Sequence, residues 1–147
     1  MNVWIELVVF LAFAVPITLF DLREYHIPDY LTLGGIAVFA ALMALWEKVP
    51  FALVAGECAA GFGLFWLIRL FSKGRMGLGD AKYSALIAVA VGFAPWLIAL
   101  FVASLTGLAA ALILMRHSRM RRDEPLPFAP FLSVGALAAF VSRGLGM

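Results

Sequence analysis

Residues 96–115 read WLIALFVASLTGLAAALILM. The run holds no Asp, Glu, Lys or Arg. At about 20 residues it has the length an α-helix needs to cross the hydrocarbon core of a bilayer. Working outward from it, apolar runs also cover about 3–20, 27–46, 51–71, 81–93 and 128–145. Together they predict an all-α membrane protein, a polytopic bundle of about six transmembrane helices that uses 1–147 as one domain. The run at 81–93 is the weakest, because roughly 13–15 residues is short for a span. It either extends back into the preceding connection or lies tilted in a thin place.

Composition agrees. Of 147 residues, 65% are hydrophobic and 14% charged, against about 45–50% and about 25% in soluble domains. A water-soluble globule and a disordered chain are both excluded. The bases, 11 against 9 acids, sit in short runs between apolar stretches. With no soluble face to carry them, a nucleic-acid partner is excluded too. Cys58 is the single cysteine, so no internal disulfide and no Cys-pair zinc site can form. The first segment reads as a retained span, not a secretory signal: it lacks a basic start, contains Glu6, and shows no small-residue cleavage site before Asp21.

The bases set the orientation. Arg23, Arg69, Lys73, Arg75, Lys82, Arg116, Arg119, Arg121 and Arg122 fall at the connections after spans one, three and five. Lys48 and Arg143 fall on the other side. The richer side faces the cytoplasm by the positive-inside rule. The run 116–122 also suits anionic lipid head groups.

Among the acids, Glu47, Asp123 and Glu124 fall in loops, where water can solvate them. Glu6 and Glu57 fall inside apolar segments; Glu6 is expected to snorkel and Glu57 to find a polar neighbour. Asp21 ends span one and Asp80 begins span four, which puts both at the cytoplasmic side. Two carboxylates a few ångströms apart cannot both ionise easily, so they share a proton and titrate as a unit. The ionised member can take a proton from water while the protonated member polarises a peptide carbonyl. That is metal-free peptide hydrolysis. For Asp80 alone, a helix N-cap is the plain alternative. Gly77 and Gly79 beside it suit a loop that admits an extended substrate segment, or an ordinary flexible connection.

Three stretches resemble the type IV prepilin peptidases, membrane aspartyl proteases of the GxGD kind. Phe20-Asp21-Leu22-Arg23 followed by Ile27-Pro28-Asp29-Tyr30-Leu31-Thr32 is similar to the family's first aspartate motif. Met76-Gly77-Leu78-Gly79-Asp80-Ala81-Lys82 is similar to the second. Leu126-Pro127-Phe128-Ala129-Pro130-Phe131-Leu132 is similar to its turn into the last span, with Ala129 where the family usually has Gly. The resemblance implies catalytic roles for Asp21 and Asp80. It implies cleavage of a prepilin or pseudopilin leader at the cytoplasmic face of a bacterial inner membrane. Gly77, Gly79, Lys82, Arg23, Pro28, Asp29, Pro127 and Pro130 are then supporting motif residues. Lys82 either biases the ionisation of Asp80 or anchors its helix, and Arg23 suits an anchor. Pro28 and Asp29 suit a helix start, with Asp29 a supporting acid as the alternative. The larger bifunctional members carry an N-terminal region with paired cysteines and also methylate the new amino terminus. The chain resembles instead the short, single-function peptidases of tight-adherence (Flp-type) pilus systems.

No metal and no cofactor are expected, because His26, though near Asp21, has no second His or Cys at ligand spacing. Trp4, Trp46, Trp66 and Trp96 suit interfacial belts, and the small residues of 56–63 and 107–111 suit close helix packing. The connection 72–79 suits a mobile gate for lateral access of a lipid-embedded substrate. The competing class is a small proton-coupled transporter or a non-enzymatic assembly subunit. That class predicts acids near the bilayer midplane, often in a repeated chain, whereas both aspartates fall at span ends and no repeat is visible.

Overall fold

The computed structural model describes residues 2–72, 76–117 and 126–146. Among the described residues there are six α-helices and no strand: α1 (Val3–Glu24), α2 (Asp29–Leu42), α3 (Phe51–Phe71), α4 (Leu78–Val91), α5 (Phe93–Arg116) and α6 (Ala129–Gly144). A π-helical turn, Met43–Glu47, continues α2 and closes on Lys48 in the left-handed conformation. The expectation of an all-α membrane bundle is met. Four stretches are long and apolar enough to cross a membrane: α1, α2 with its π-turn, α3 and α5. Helices α4 and α6 are shorter, with 14 and 16 residues. At 1.5 Å per residue, α4 is about 21 Å long.

The short helix is the centre of the molecule. Every residue of α4 from Tyr83 to Val91 is buried, and α4 packs against α2, α3, α5 and α6. Lipid tails are as apolar as the side chains, so apolar burial does not drive these helices together; small residues that let backbones approach do. On α4 these are Ala81, Ser84, Ala85, Ala88 and Ala90. Opposite them, a Cβ on Gly61 of α3 would stand 2.7 Å from Ala85 Cα. Gly56 and Gly63, also expected at close contacts, meet nothing within 4 Å. The outer faces carry exposed apolar side chains such as Val8, Phe51, Phe101 and Leu108, as a lipid-facing surface requires.

Helix ends differ from the sequence expectation in ways that matter for the acids. α1 runs on to Glu24, where Tyr25 in the left-handed conformation stops it and returns its N–H to the Asp21 carbonyl at 3.1 Å. Asp21 therefore lies inside a helical turn. α4 does extend back into the glycine motif, and it ends at Val91 because Gly92 turns the chain with φ +85. α5 then begins at Phe93, three residues earlier than expected, with Pro95 tolerated in its first turn.

Two expectations need correction. Glu6 does not snorkel: it is 2% exposed and accepts from Arg143 Nη1 at 2.6 Å. The same Arg143 nitrogen donates to the Ala90 carbonyl at 3.2 Å, so the pair joins α1, α6 and the end of α4. Trp4, Trp46 and Trp66 are exposed, but Trp96 is buried and donates through Nε1 to Ser84 Oγ at 3.1 Å. Glu57 finds the polar neighbours expected of it, the Phe93 backbone N–H and the charge of Arg143, although among the described residues its Oε2 is buried without a hydrogen-bond partner. Lys73, Arg75, Arg119, Arg121, Arg122, Asp123 and Glu124 fall outside the described residues, as does the middle of the expected gate.

Candidate active site

The last turn of α1, the first turn of α4 and the approach to α6 converge at one end of the bundle. Between them lies a cavity of about 660 Å³. Asp21 and Asp80 both line it, with Tyr25, His26 and Ile27 of the α1–α2 connection, Ile68 of α3, and Pro127 and Phe128 ahead of α6. Two acids that are 59 positions apart in sequence are thus brought to one space.

Asp21 is 6% exposed. Its Oδ2 accepts the backbone N–H of Ala129 at 2.9 Å. Ala129 stands where the family it resembles usually has Gly, so an added Cβ could hinder close backbone approach there. The approach is made, and by the backbone itself: Ala129 is fully buried at the first residue of α6, whose N–H has no partner within the helix. A carboxylate there satisfies the orphan donor and suits the positive end of the helix.

Asp80 is the third residue of α4, and Gly77 holds the N-cap place in extended backbone. Asp80 is therefore not the N-cap that was the plain alternative. It stands ahead of the apolar run that starts at Ala81. Burial, and then the Asp21 carboxylate, push the Asp80 carboxyl up to about 7.

The two glycines differ in use. A Cβ on Gly79 would stand 2.9 Å from Ile27 Cβ, so Gly79 lets the buried Ile27 of the α1–α2 connection seat on α4. A Cβ on Gly77 would meet Asp80 Oδ2 at an ordinary 3.6 Å. The space beside Gly79 is thus filled by the protein's own chain, not left for a substrate segment.

The supporting residues divide likewise. Lys82 lines the cavity and donates to Asp29 Oδ1 at 2.6 Å, tying α4 to the start of α2. Pro28 is the N-cap of α2, and its carbonyl accepts the Leu31 N–H at 3.2 Å. Pro127 lines the cavity, whereas Pro130 sits in the first turn of α6, where no N–H is needed. Arg23 is exposed and does not line the cavity. Arg69, read from the sequence only as a topology base, donates through Nη1 to the Met76 carbonyl and braces the approach to the second motif.

A layer of hydroxyls below the carboxylates escaped the sequence reading. Tyr83 Oη lies 2.6 Å and Thr18 Oγ1 2.8 Å from Ser133 Oγ, and Ser133 in turn donates to the Ala129 carbonyl at 3.0 Å. Thr18 stands three residues before Asp21 and Tyr83 three after Asp80, one helical turn from each. That i, i+3 spacing from the acids was the available signal; Ser133 had none.

A family model described as the type IV leader peptidase family matches residues 8–112. The chain belongs to the type IV leader peptidase family. Both aspartates fall within the matched region, and the stretch 126–132 lies beyond it. Similar proteins include the prepilin leader peptidase/N-methyltransferase of Dickeya chrysanthemi, 31% identical over 138 residues, which cover 90% of this chain and 48% of that protein. That of Legionella pneumophila is 33% identical over 132 residues, 85% of this chain and 45% of that protein. That of Bacillus subtilis is 25% identical over 134 residues, 91% of this chain and 54% of that protein. The chain spans about half the length of the curated relatives it matches. No solved structure matches it.

Proposed function

We propose that this chain is a membrane aspartic endopeptidase that removes the leader of type IV prepilins or pseudopilins, of the Flp type, with Asp21 and Asp80 activating one water. The observation that carries the reading is the shared cavity: in a type IV leader peptidase family member, the two motif aspartates line the same space.

The chemistry follows from the differing surroundings of the two acids. With its carboxyl near 7, Asp80 holds a proton for much of the time at neutral pH and can donate it toward the scissile carbonyl oxygen. Asp21, held in place by the Ala129 N–H, takes a proton from the attacking water. The tetrahedral intermediate collapses as Asp21 passes the proton taken from water to the leaving nitrogen, the C–N bond breaks, and Asp80 takes back a proton from a hydroxyl of the intermediate, which restores the one shared proton. Arg23, Arg69 and Arg116 lie at helix ends on the cavity side, and Arg143 lies at the other end. This distribution supports a cytoplasm-facing site in the bacterial inner membrane. The substrate's apolar helix would stay in lipid while its cut site meets the cavity.

The test is co-expression with a cognate prepilin, following the mass of the pilin. Asp21→Asn and Asp80→Asn should each stop processing while the protein stays in the membrane. Continued cleavage by either variant would overturn the dyad. Processing should also survive chelators; loss on metal removal with recovery on adding metal back would point to a metalloprotease.

A further inference from the structure

The hydroxyl layer under the cavity has its hydrogen-bond directions fixed by counting. A serine hydroxyl offers one donor and two acceptor sites. The Ala129 carbonyl can only accept, so the Ser133 proton goes there. The two remaining contacts of Ser133 Oγ must then be acceptances, from Tyr83 Oη at 2.6 Å and Thr18 Oγ1 at 2.8 Å. Ser133 is saturated. Tyr83 is fully buried and stacks on Phe10 of α1, with ring centroids 6.3 Å apart and planes within 4°.

The three hydroxyls come from three helices, and each lies one turn from a functional group. Thr18 is a turn before Asp21 on α1, and Tyr83 a turn after Asp80 on α4. Ser133 is four residues after Ala129, whose N–H holds Asp21 Oδ2 at 2.9 Å. Both acid-bearing helices are therefore pinned to one side chain on the helix that supplies the donor to Asp21.

We propose that Ser133 is a positioning residue for the aspartate pair, fixing α1 and α4 against the first turn of α6 so that the Ala129 N–H is presented to Asp21. Ser133 touches no reacting atom; it acts through Ala129. The proposal rests on the peptidase reading for its kinetic consequence and on geometry alone for its structural one.

The experiment uses the full chain in membranes or detergent, with a prepilin as substrate, and compares Ser133→Ala, Ser133→Thr and Tyr83→Phe with the unaltered chain. A displacement of reacting groups by a fraction of an ångström is enough to lower kcat about 10-fold. Ser133→Ala should show that loss in kcat with KM nearly unchanged, and Ser133→Thr, which keeps the hydroxyl, should recover most of it. Tyr83→Phe keeps the ring on Phe10 and should give a smaller loss in kcat. Amide exchange read at single residues supplies a readout that needs no activity. In Ser133→Ala the Ala129 amide should exchange about 10-fold faster, while amides near Ala139 on the same helix stay as they were. Unaltered kcat in a folded Ser133→Ala variant, or unaltered exchange at Ala129, overturns the proposal. If the unaltered chain fails to cut, or Asp21→Asn still cuts, the peptidase reading falls, and the exchange arm alone still decides whether Ser133 positions α6.

Discussion

Gly135→Ala adds one methyl group where α6 crosses α5. The new Cβ would stand 2.0 Å from the Ala99 carbonyl oxygen, 2.9 Å from the Ala99 carbonyl carbon and 3.2 Å from Ala103 Cβ. Real Cβ atoms stay beyond 3.0 Å, so the helices must part by at least 1.0 Å, the difference between 3.0 and 2.0 Å. The obstacle is backbone, and no rotamer change relieves it. Overpacking of this kind costs about 1–3 kcal/mol, with a backbone clash at the upper end. Alanine recovers about 0.5–1 kcal/mol over glycine inside a helix. The net is a loss of about 2 kcal/mol, a factor of roughly 30 in the unfolding equilibrium. Ala129 lies on the same helix six residues earlier, about 9 Å along the axis. The displacement therefore reaches the donor of Asp21, and leader cleavage should fall with stability. Unfolding in detergent, followed by denaturant titration, measures the first effect and the pilin mass the second. Gly56→Ala is the control: its Cβ meets nothing within 4 Å, and it should be neutral or slightly stabilising. A Gly135→Ala protein as stable as the Gly56→Ala one would refute this account of how α5 and α6 pack.

Further outcomes follow from the charged groups. The fold favours the protonated form of Asp80, whose carboxyl stands at about 7 against an ordinary 3.8. The folded chain thus keeps a proton that the unfolded chain releases, so this group's contribution is full below about 4, falls as pH rises to about 7, and then levels. Asp80→Asn should flatten that decline in denaturant titrations between those limits. Arg143→Met leaves the Glu6 carboxylate, 2% exposed, without its partner, and should cost about 3–5 kcal/mol. Adding Glu6→Leu should restore most of it in the same unfolding assay. Lys82→Ala and Asp29→Ala should each slow cleavage, and the double variant should be no worse than either. For an ion pair that is partly exposed, the coupling in stability should be only about 0.2–1 kcal/mol.

The helices were legible because a membrane protein advertises them by apolar runs of spanning length, and 51–71 was located to the residue. The two aspartates were legible because each carries a local motif and the span count puts both at one face. Contacts between distant segments were not. The Glu6–Arg143 pair joins residues 137 positions apart, and nothing near Glu6 in sequence shows that the end of α6 lies beside it. Trp96 looked interfacial because its neighbours are apolar; its burial comes from Ser84, which offers an acceptor on the central helix. Ser133 looked like any hydroxyl in an apolar helix, since its role exists only where three helices meet.

Helix α4 has a consequence for how the protein is made. Buried from Tyr83 to Val91 and too short to cross a bilayer alone, it offers an insertion machinery little to grip. It must enter beside α3, as the returning arm of a hairpin, and wait for its enclosure. The last wall, α6, also brings the Ala129 N–H to Asp21. Until α6 docks, a nascent chain therefore carries both acids without the donor that holds Asp21, and the surroundings of the pair are complete only once α6 is in place.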